Sequence, residues 1–201
     1  MMNKQSTIEV FVTIKQNNFS FYTTLLQSGI DIKSSRGETM VQFLNNLPGF
    51  TLDFISTKIE TIFLNGTPVD DLDAGFSGEN PVLAISASMP GLAGAIFRRN
   101  SIHSALRSDT QREVSHQSKT EDITVKLKLF NTIALSRGED LLRQGATLNS
   151  KKVLTTLTRR PQLLENMLKI QLDEKEIEKT QLLTLLQETE KITLTFGTND
   201  G

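Results

Sequence analysis

The stretch Met89-Pro90-Gly91-Leu92-Ala93-Gly94-Ala95-Ile96-Phe97-Arg98-Arg99 holds the residues with the clearest capacity for recognition chemistry. Gly91 and Gly94 permit positive φ and close backbone approach. Amides exposed there would form an anion-binding nest, with Arg98 and Arg99 adding charge. Leu92, Ile96 and Phe97 suit a second use, insertion into an apolar groove on a partner protein. A plainer reading competes with both: a glycine-rich turn leaves a strand, and its apolar residues cover a junction. The segment lacks the Gly-Lys-Ser/Thr ending of a phosphate-binding P-loop. The candidate partner-binding residues are Pro90, Gly91, Leu92, Gly94, Phe97, Arg98 and Arg99.

Other chemistry-bearing groups point to no reaction. Asp70, Asp71 and Asp73, with Glu79 nearby, form the densest acidic group. Their spacing lacks the Glu that closes a calcium loop, and a polar return loop accounts for them. His103 and His116 are the only histidines, and neither has a second His at helical spacing. Asp109 and Glu113 make no recognised metal pattern with them. The chain has no cysteine, which excludes disulfides, thiolate metal sites and a cysteine nucleophile. Serines abound, but none has the strand-turn-helix setting of a nucleophile elbow. The expectation is a non-enzyme with no catalytic residue, cofactor or metal.

Charge and composition narrow the partners. The chain has 201 residues, of which 37% are hydrophobic and 22% charged, with a formal net charge of -1. This is the composition of an ordinary soluble globular protein, with no overall field toward nucleic acid or an anionic membrane. Arg98, Arg99, Arg107, Arg112 and Lys119 are locally basic, but no aromatic residue lies between Phe97 and Phe130 to stack on bases. No stretch is long and apolar enough to cross a bilayer, and the N-terminus lacks a secretory pattern. A cytoplasmic location and a protein partner follow as expectations. The sequence does not specify the oligomeric state.

The elements that must position these residues come as a repeat. Leu25-Leu26-Gln27-Ser28-Gly29-Ile30-Asp31-Ile32 returns as Leu141-Leu142-Arg143-Gln144-Gly145-Ala146-Thr147-Leu148. Self-similarity at domain length implies one architecture used twice. Ile8, Val10, Val12 and Ile14 alternate as in a half-buried strand, although Phe11 breaks the polar side; Ile123, Val125, Leu127 and Leu129 repeat the pattern more cleanly. Phe19 to Leu26 reads as the second arm of a hairpin. Ser35-Arg36-Gly37-Glu38 reads as a capping box before Met40, Phe43, Leu44 and Leu47. Lys58 to Leu64 is a strand closed by an Asn65-Gly66 turn, with Val69 beginning the return arm. Pro81 to Ala87 has the apolar run of a central strand.

In the second half, Asn149 caps a helix ended by Pro161. Leu168 to Leu172 is a strand, and Asp173-Glu174 falls where Asn65-Gly66 falls in the first copy. Leu182 to Leu186 is a short apolar cluster, and Ile192, Leu194 and Phe196 make the last strand. Asn131 to Gln144 reads either as a strand or as a short helix. Residues 98–121 are rich in Ser, Arg, Gln and His and read as a polar, basic linker.

This pattern resembles the β-grasp, or ubiquitin-like, fold, and within it the small sulfur-carrier proteins of molybdopterin and thiamine synthesis. Val125-Lys126-Leu127-Lys128-Leu129-Phe130 is similar to the family's first strand, and Gly145-Ala146-Thr147-Leu148 to its helix start. Phe63-Leu64-Asn65-Gly66-Thr67-Pro68-Val69 resembles its turn. Pro81-Val82-Leu83-Ala84-Ile85-Ser86, followed by Pro90-Gly91-Leu92-Ala93-Gly94, resembles its last strand and exit. The resemblance implies an α+β protein of two tandem β-grasp domains, each a mixed sheet packed on one helix. Residues 6–97 form the first, 98–121 the linker and 122–197 the second.

Lys126, Lys128, Lys169, Gln171, Thr193 and Thr195 would then line one polar sheet face of the second domain. The implied function is a non-enzymatic protein-interaction or adaptor module. The alternative is a sulfur-carrier-like accessory of cofactor biosynthesis with an altered, internal Pro-Gly-x-x-Gly motif. Carriers end in Gly-Gly with a free carboxylate. Here Gly94 is internal and the chain closes on a single Gly201, so carrier chemistry would require cleavage after Gly94 or a lone terminal glycine.

Overall fold

The computed structural model describes residues 7–76, 78–102 and 121–199. His103, Arg107, Asp109, Arg112, Glu113, His116 and Lys119 lie outside them, as does most of the expected linker. In chain order the elements are β1 (Thr7–Ile14), a 3-10 turn (Gln16–Asn18), α1 (Phe19–Tyr22), α2 (Thr24–Ser28), β2 (Ile30–Ser35), α3 (Met40–Asn45) and α4 (Leu52–Lys58). Next come β3 (Thr61–Leu64), β4 (Thr67–Pro68), β5 (Val82–Ser86), α5 (Gly91–Phe97), β6 (Asp122–Leu129), α6 (Asn131–Gln144) and β7 (Ala146–Asn149). The chain closes with α7 (Ser150–Arg159), α8 (Pro161–Glu165), β8 (Met167–Leu172), β9 (Lys175–Glu176), α9 (Lys179–Glu188) and β10 (Lys191–Thr198). The protein is α+β, as expected.

Two compact units emerge, and they are not the two halves of the sequence. One comprises the described residues of Met1–Ile30 and Gly138–Gly201, the other those of Asp31–Arg137. The boundaries expected from the sequence, at 97 and 122, lie elsewhere than these divisions. We call the first the discontinuous unit and the second the continuous unit.

In the continuous unit the strand order is β4-β3-β5-β6-β2. β5 runs parallel to β6, with Leu83 beside Leu127, and antiparallel to β3. The parallel neighbour of β5 is therefore β6, from the second half of the sequence. Leu83, Ile85, Val125, Leu127 and Leu129 are buried on the inner face with Met40, Phe43, Leu44 and Ile55 from α3 and α4. Burying each such side chain contributes about 2 kcal/mol.

In the discontinuous unit the order is β7-β10-β1-β8-β9. β1 lies parallel to β10 along its whole length, from Thr7 beside Lys191 to Ile14 beside Thr198, and antiparallel to β8. Ile8, Val10, Val12 and Ile14 face inward, and the core closes with Leu148, Val153, Leu157, Ile170, Leu182 and Phe196. Phe11, which interrupts the alternation, faces outward on Gly197, where an added Cβ would come within 2.5 Å of the ring's Cζ.

The two units also differ in strand order. In the continuous unit the opening-type strand β6 neighbours β2, and the closing-type strand β5 neighbours β3. In the discontinuous unit the opening strand β1 neighbours β8, and the closing strand β10 neighbours β7. The repeat in sequence is thus not one architecture used twice. Lys126 and Lys128 belong to β6 in the continuous unit, whereas Lys169, Gln171, Thr193 and Thr195 belong to the other unit's sheet. The six residues therefore do not belong to one unit, as the expectation required.

Several local expectations are corrected. Phe19 to Leu26 is helical, not a hairpin arm: Phe19, Tyr22, Leu25 and Leu26 are buried at helical spacing. Ser35 ends β2. The capping box lies four residues on, where Thr39 Oγ1 accepts from the Gln42 amide and the Gln42 side chain accepts from the Thr39 amide. Of the two readings open for Asn131 to Gln144, strand or short helix, the helix is the one that forms. It passes close to α1 and α2, since a Cβ on Gly138 would lie 2.8 Å from Leu26 Cδ1 and Thr23 Cγ2.

Other expectations hold. Asn65-Gly66 (φ 52°, 81°) and Asp173-Glu174 (φ 49°, 64°) both adopt positive φ, as a two-residue hairpin turn of this type requires. Asn149 Oδ1 caps α7 by accepting from the Lys152 amide at 3.2 Å.

Candidate functional site

The candidate segment lies wholly in the continuous unit. Pro90 precedes α5 in an extended conformation, and Gly91 opens the helix at φ 77°. Gly94 is obligatory on steric grounds: a Cβ there would fall 1.8 Å from the Met89 carbonyl oxygen. The first turn of the helix therefore packs tightly against the Met89 carbonyl.

Its far end is fastened to β3. The Phe97 ring packs on Phe63 with centroids 5.4 Å apart. Arg98 Nε pairs with Glu60 Oε2 at 2.9 Å, and Arg98 Nη2 donates to Ser88 Oγ at 2.6 Å. The Arg99 amide donates to the Glu60 carbonyl at 2.7 Å. With both ends held, Leu92 projects from the platform and is 71% exposed.

Both arginines make contacts within the unit. Arg98 is committed to Glu60 and Ser88. Arg99 Nε and Nη1 are buried with no hydrogen-bond partner. Burial lowers the Arg99 pKa, and nearby Asp70 opposes that shift. Arg98 stays half-exposed beside Glu60, while Arg99 is partly covered and its Nη2 donates to the Ser56 carbonyl at 3.5 Å, so both side chains tie α5 to the unit beneath it. A cleft of about 640 Å³ runs along α5, lined by Ser88, Pro90, Gly91, Ala95, Arg98 and Asn100 among others.

A second cavity, about 440 Å³, was not visible in the sequence. It lies on the strand face that Phe63, Val82 and Ala84 share, opposite the buried Leu83, and Ile85 also borders it. Met89 and Phe130 extend its apolar wall, and Lys128 is the one charged side chain on the lining. On the same strand Lys126 forms an ion pair with Asp31, so its charge is neutralised; Lys128 has no such partner among the described residues. Asn131 Nδ2 donates to Ser86 Oγ at 2.9 Å at the cavity margin. The available signal was small: Val82 and Ala84 sit at alternate positions of an all-apolar strand, so one apolar row had to face outward.

The acidic group is a loop. Asp70 Oδ1 accepts from the Asn100 amide at 3.1 Å, and Asp71 Oδ1 accepts from the Asp73 amide at 2.9 Å. Among the described residues no group of three or more His, Asp and Glu side chains could hold a metal ion. Among them, too, no helix is long and apolar enough to cross a membrane.

No known protein family, curated protein or solved structure matches this chain.

Proposed function

We propose that the protein is a non-catalytic interaction or adaptor module whose continuous unit is ubiquitin-like, docking a partner protein through α5. The observation that carries this reading is Leu92. It is a large apolar side chain, 71% exposed, on a helix immobilised by Gly94 against Met89, Phe97 against Phe63 and Arg98 against Glu60. A pre-fixed apolar anchor loses little conformational entropy on binding, which is the economical form of a protein-docking contact. The helical winding of Gly91–Phe97 supports docking over carrier chemistry, because a carrier tail is used as an extended free end.

The test compares partners retained by wild type and by Leu92→Asp, with folding checked by thermal melting. Leu92 touches solvent, so the variant should melt like wild type and lose a specific partner. An unchanged partner set would remove α5 from the mechanism. Phe97→Asp is unsuitable for this purpose, because it would break the ring contact that holds the helix.

A further inference from the structure

We infer that the 440 Å³ trough on the continuous unit is a binding site for a small apolar carboxylate, a flexible hydrocarbon or aromatic body carrying one anionic head. This goes beyond the docking role of α5 and does not depend on it. The volume falls within the range of small-molecule sites, about 300–1,000 Å³. The body would lie against Phe63, Val82, Ala84, Met89 and Phe130, which offer no hydrogen-bonding groups from their side chains.

The head is fixed by charge complementarity. Lys128 is the only charged group on the lining, and Lys126 beside it is already neutralised by Asp31. A single uncompensated ammonium beside an apolar surface favours a ligand with one negative charge and disfavours cations and neutral polar molecules. The other polar side chains on the lining, Ser86 and Asn131, hydrogen-bond to each other.

The sheet itself argues against a peptide occupant. The trough lies over β3, β5 and β6, whose backbone groups face one another within the sheet: β5 is paired on both sides, with β3 and with β6. An extended peptide laid there would find no strand edge to pair with, and its buried amides would go unsatisfied. A hydrocarbon carboxylate carries no such groups apart from its head.

Isothermal titration calorimetry of the full chain with decanoate, kept below its aggregation threshold, tests this. Wild type should bind one equivalent saturably. Lys128→Gln, a change at a partly exposed position, should weaken binding about tenfold, the worth of one charge-assisted contact. Decylamine and 1-decanol should bind more weakly than decanoate, and the alcohol should be indifferent to Lys128→Gln. Ala84→Trp should fill the trough and abolish binding, with its fold checked by circular dichroism. Leu92→Asp should bind decanoate as wild type does, which separates this site from the docking helix.

The inference is overturned if wild type gives no saturable binding, if Lys128→Gln binds equally well, or if decylamine competes equally. It is also overturned if a folded Ala84→Trp still binds. Tighter binding of a short acetylated Glu-Leu-Phe amide, lost in the same variants, would make the trough a peptide site and would likewise overturn it.

Discussion

Pairing of the first strand with the second half of the chain can be tested by a crosslink. Thr13 on β1 lies opposite Lys169 on β8 in an antiparallel pair, both on the outward face. Residues directly opposite in such pairs have Cα atoms about 4.5–5.5 Å apart, within the range a disulfide spans. The protein has no cysteine, so Thr13→Cys with Lys169→Cys introduces the only thiols. The substitutions remove one exposed contact, Lys169 to Glu176 at 3.9 Å, which is worth little. The crosslink closes most of the chain into one loop, for which the chain-entropy model assigns about 5 kcal/mol of stabilisation. Mild oxidation should give a monomeric disulfide, seen as faster migration on non-reducing gels and as a raised denaturant midpoint that reductant reverses. Assembly of the strands in sequence order would leave these thiols apart. Failure of folded protein to crosslink, or a crosslink only between chains, would refute the strand assignment.

Further expectations follow from single contacts. Tyr22, the only tyrosine, is fully buried and donates to the Leu163 carbonyl at 2.5 Å, so Tyr22→Phe should cost about 1–3 kcal/mol in denaturant unfolding. Burial holds its phenol well above the ordinary range, so the stabilisation is complete below the unfolded value of about 10 and is lost as pH rises beyond it. Wild type should therefore lose stability above about pH 10 more steeply than Tyr22→Phe, and equal slopes would contradict this. Gly94→Ala forces a Cβ onto the Met89 carbonyl; it should destabilise the continuous unit by about 3 kcal/mol and weaken partner retention, measured by melting and pull-down. Thr61 is 1% exposed and its hydroxyl has no partner, so Thr61→Val should raise stability by about 1 kcal/mol; a loss in chemical denaturation would show that the hydroxyl is satisfied.

Faces and turns were legible in the sequence, but strand partners were not. The alternation of Ile8, Val10, Val12 and Ile14, and of Ile123, Val125, Leu127 and Leu129, correctly marks the inward rows. The two rows are nearly interchangeable, and a strand's pattern specifies which side is buried rather than which neighbour it takes. Asn65-Gly66 and Asp173-Glu174 announced their turns because few residue pairs tolerate positive φ twice in succession. Phe19 to Leu26 misled because its dense apolar run fits a strand as well as a short helix, and only packing separates them. In the candidate site, α5 was singled out by its glycines, but the fate of Arg98 and Arg99 depended on Glu60 and Ser88, distant in sequence. The trough required three strands to be aligned, which no local window could supply.

The division into units sets a timetable for synthesis. Every strand of the continuous unit has been made once residue 129 is complete, so its sheet can close while the rest of the chain is still being added. Among the described strands β1 is made before all others, yet its parallel neighbour β10 is made after all others. At about 5–20 residues per second, β1 waits roughly ten to forty seconds with bare edges. A nascent strand with an apolar row and open edges is a template for wrong partners. The strand most in need of protection, during translation or refolding from denaturant, is thus the one whose parallel neighbour arrives latest.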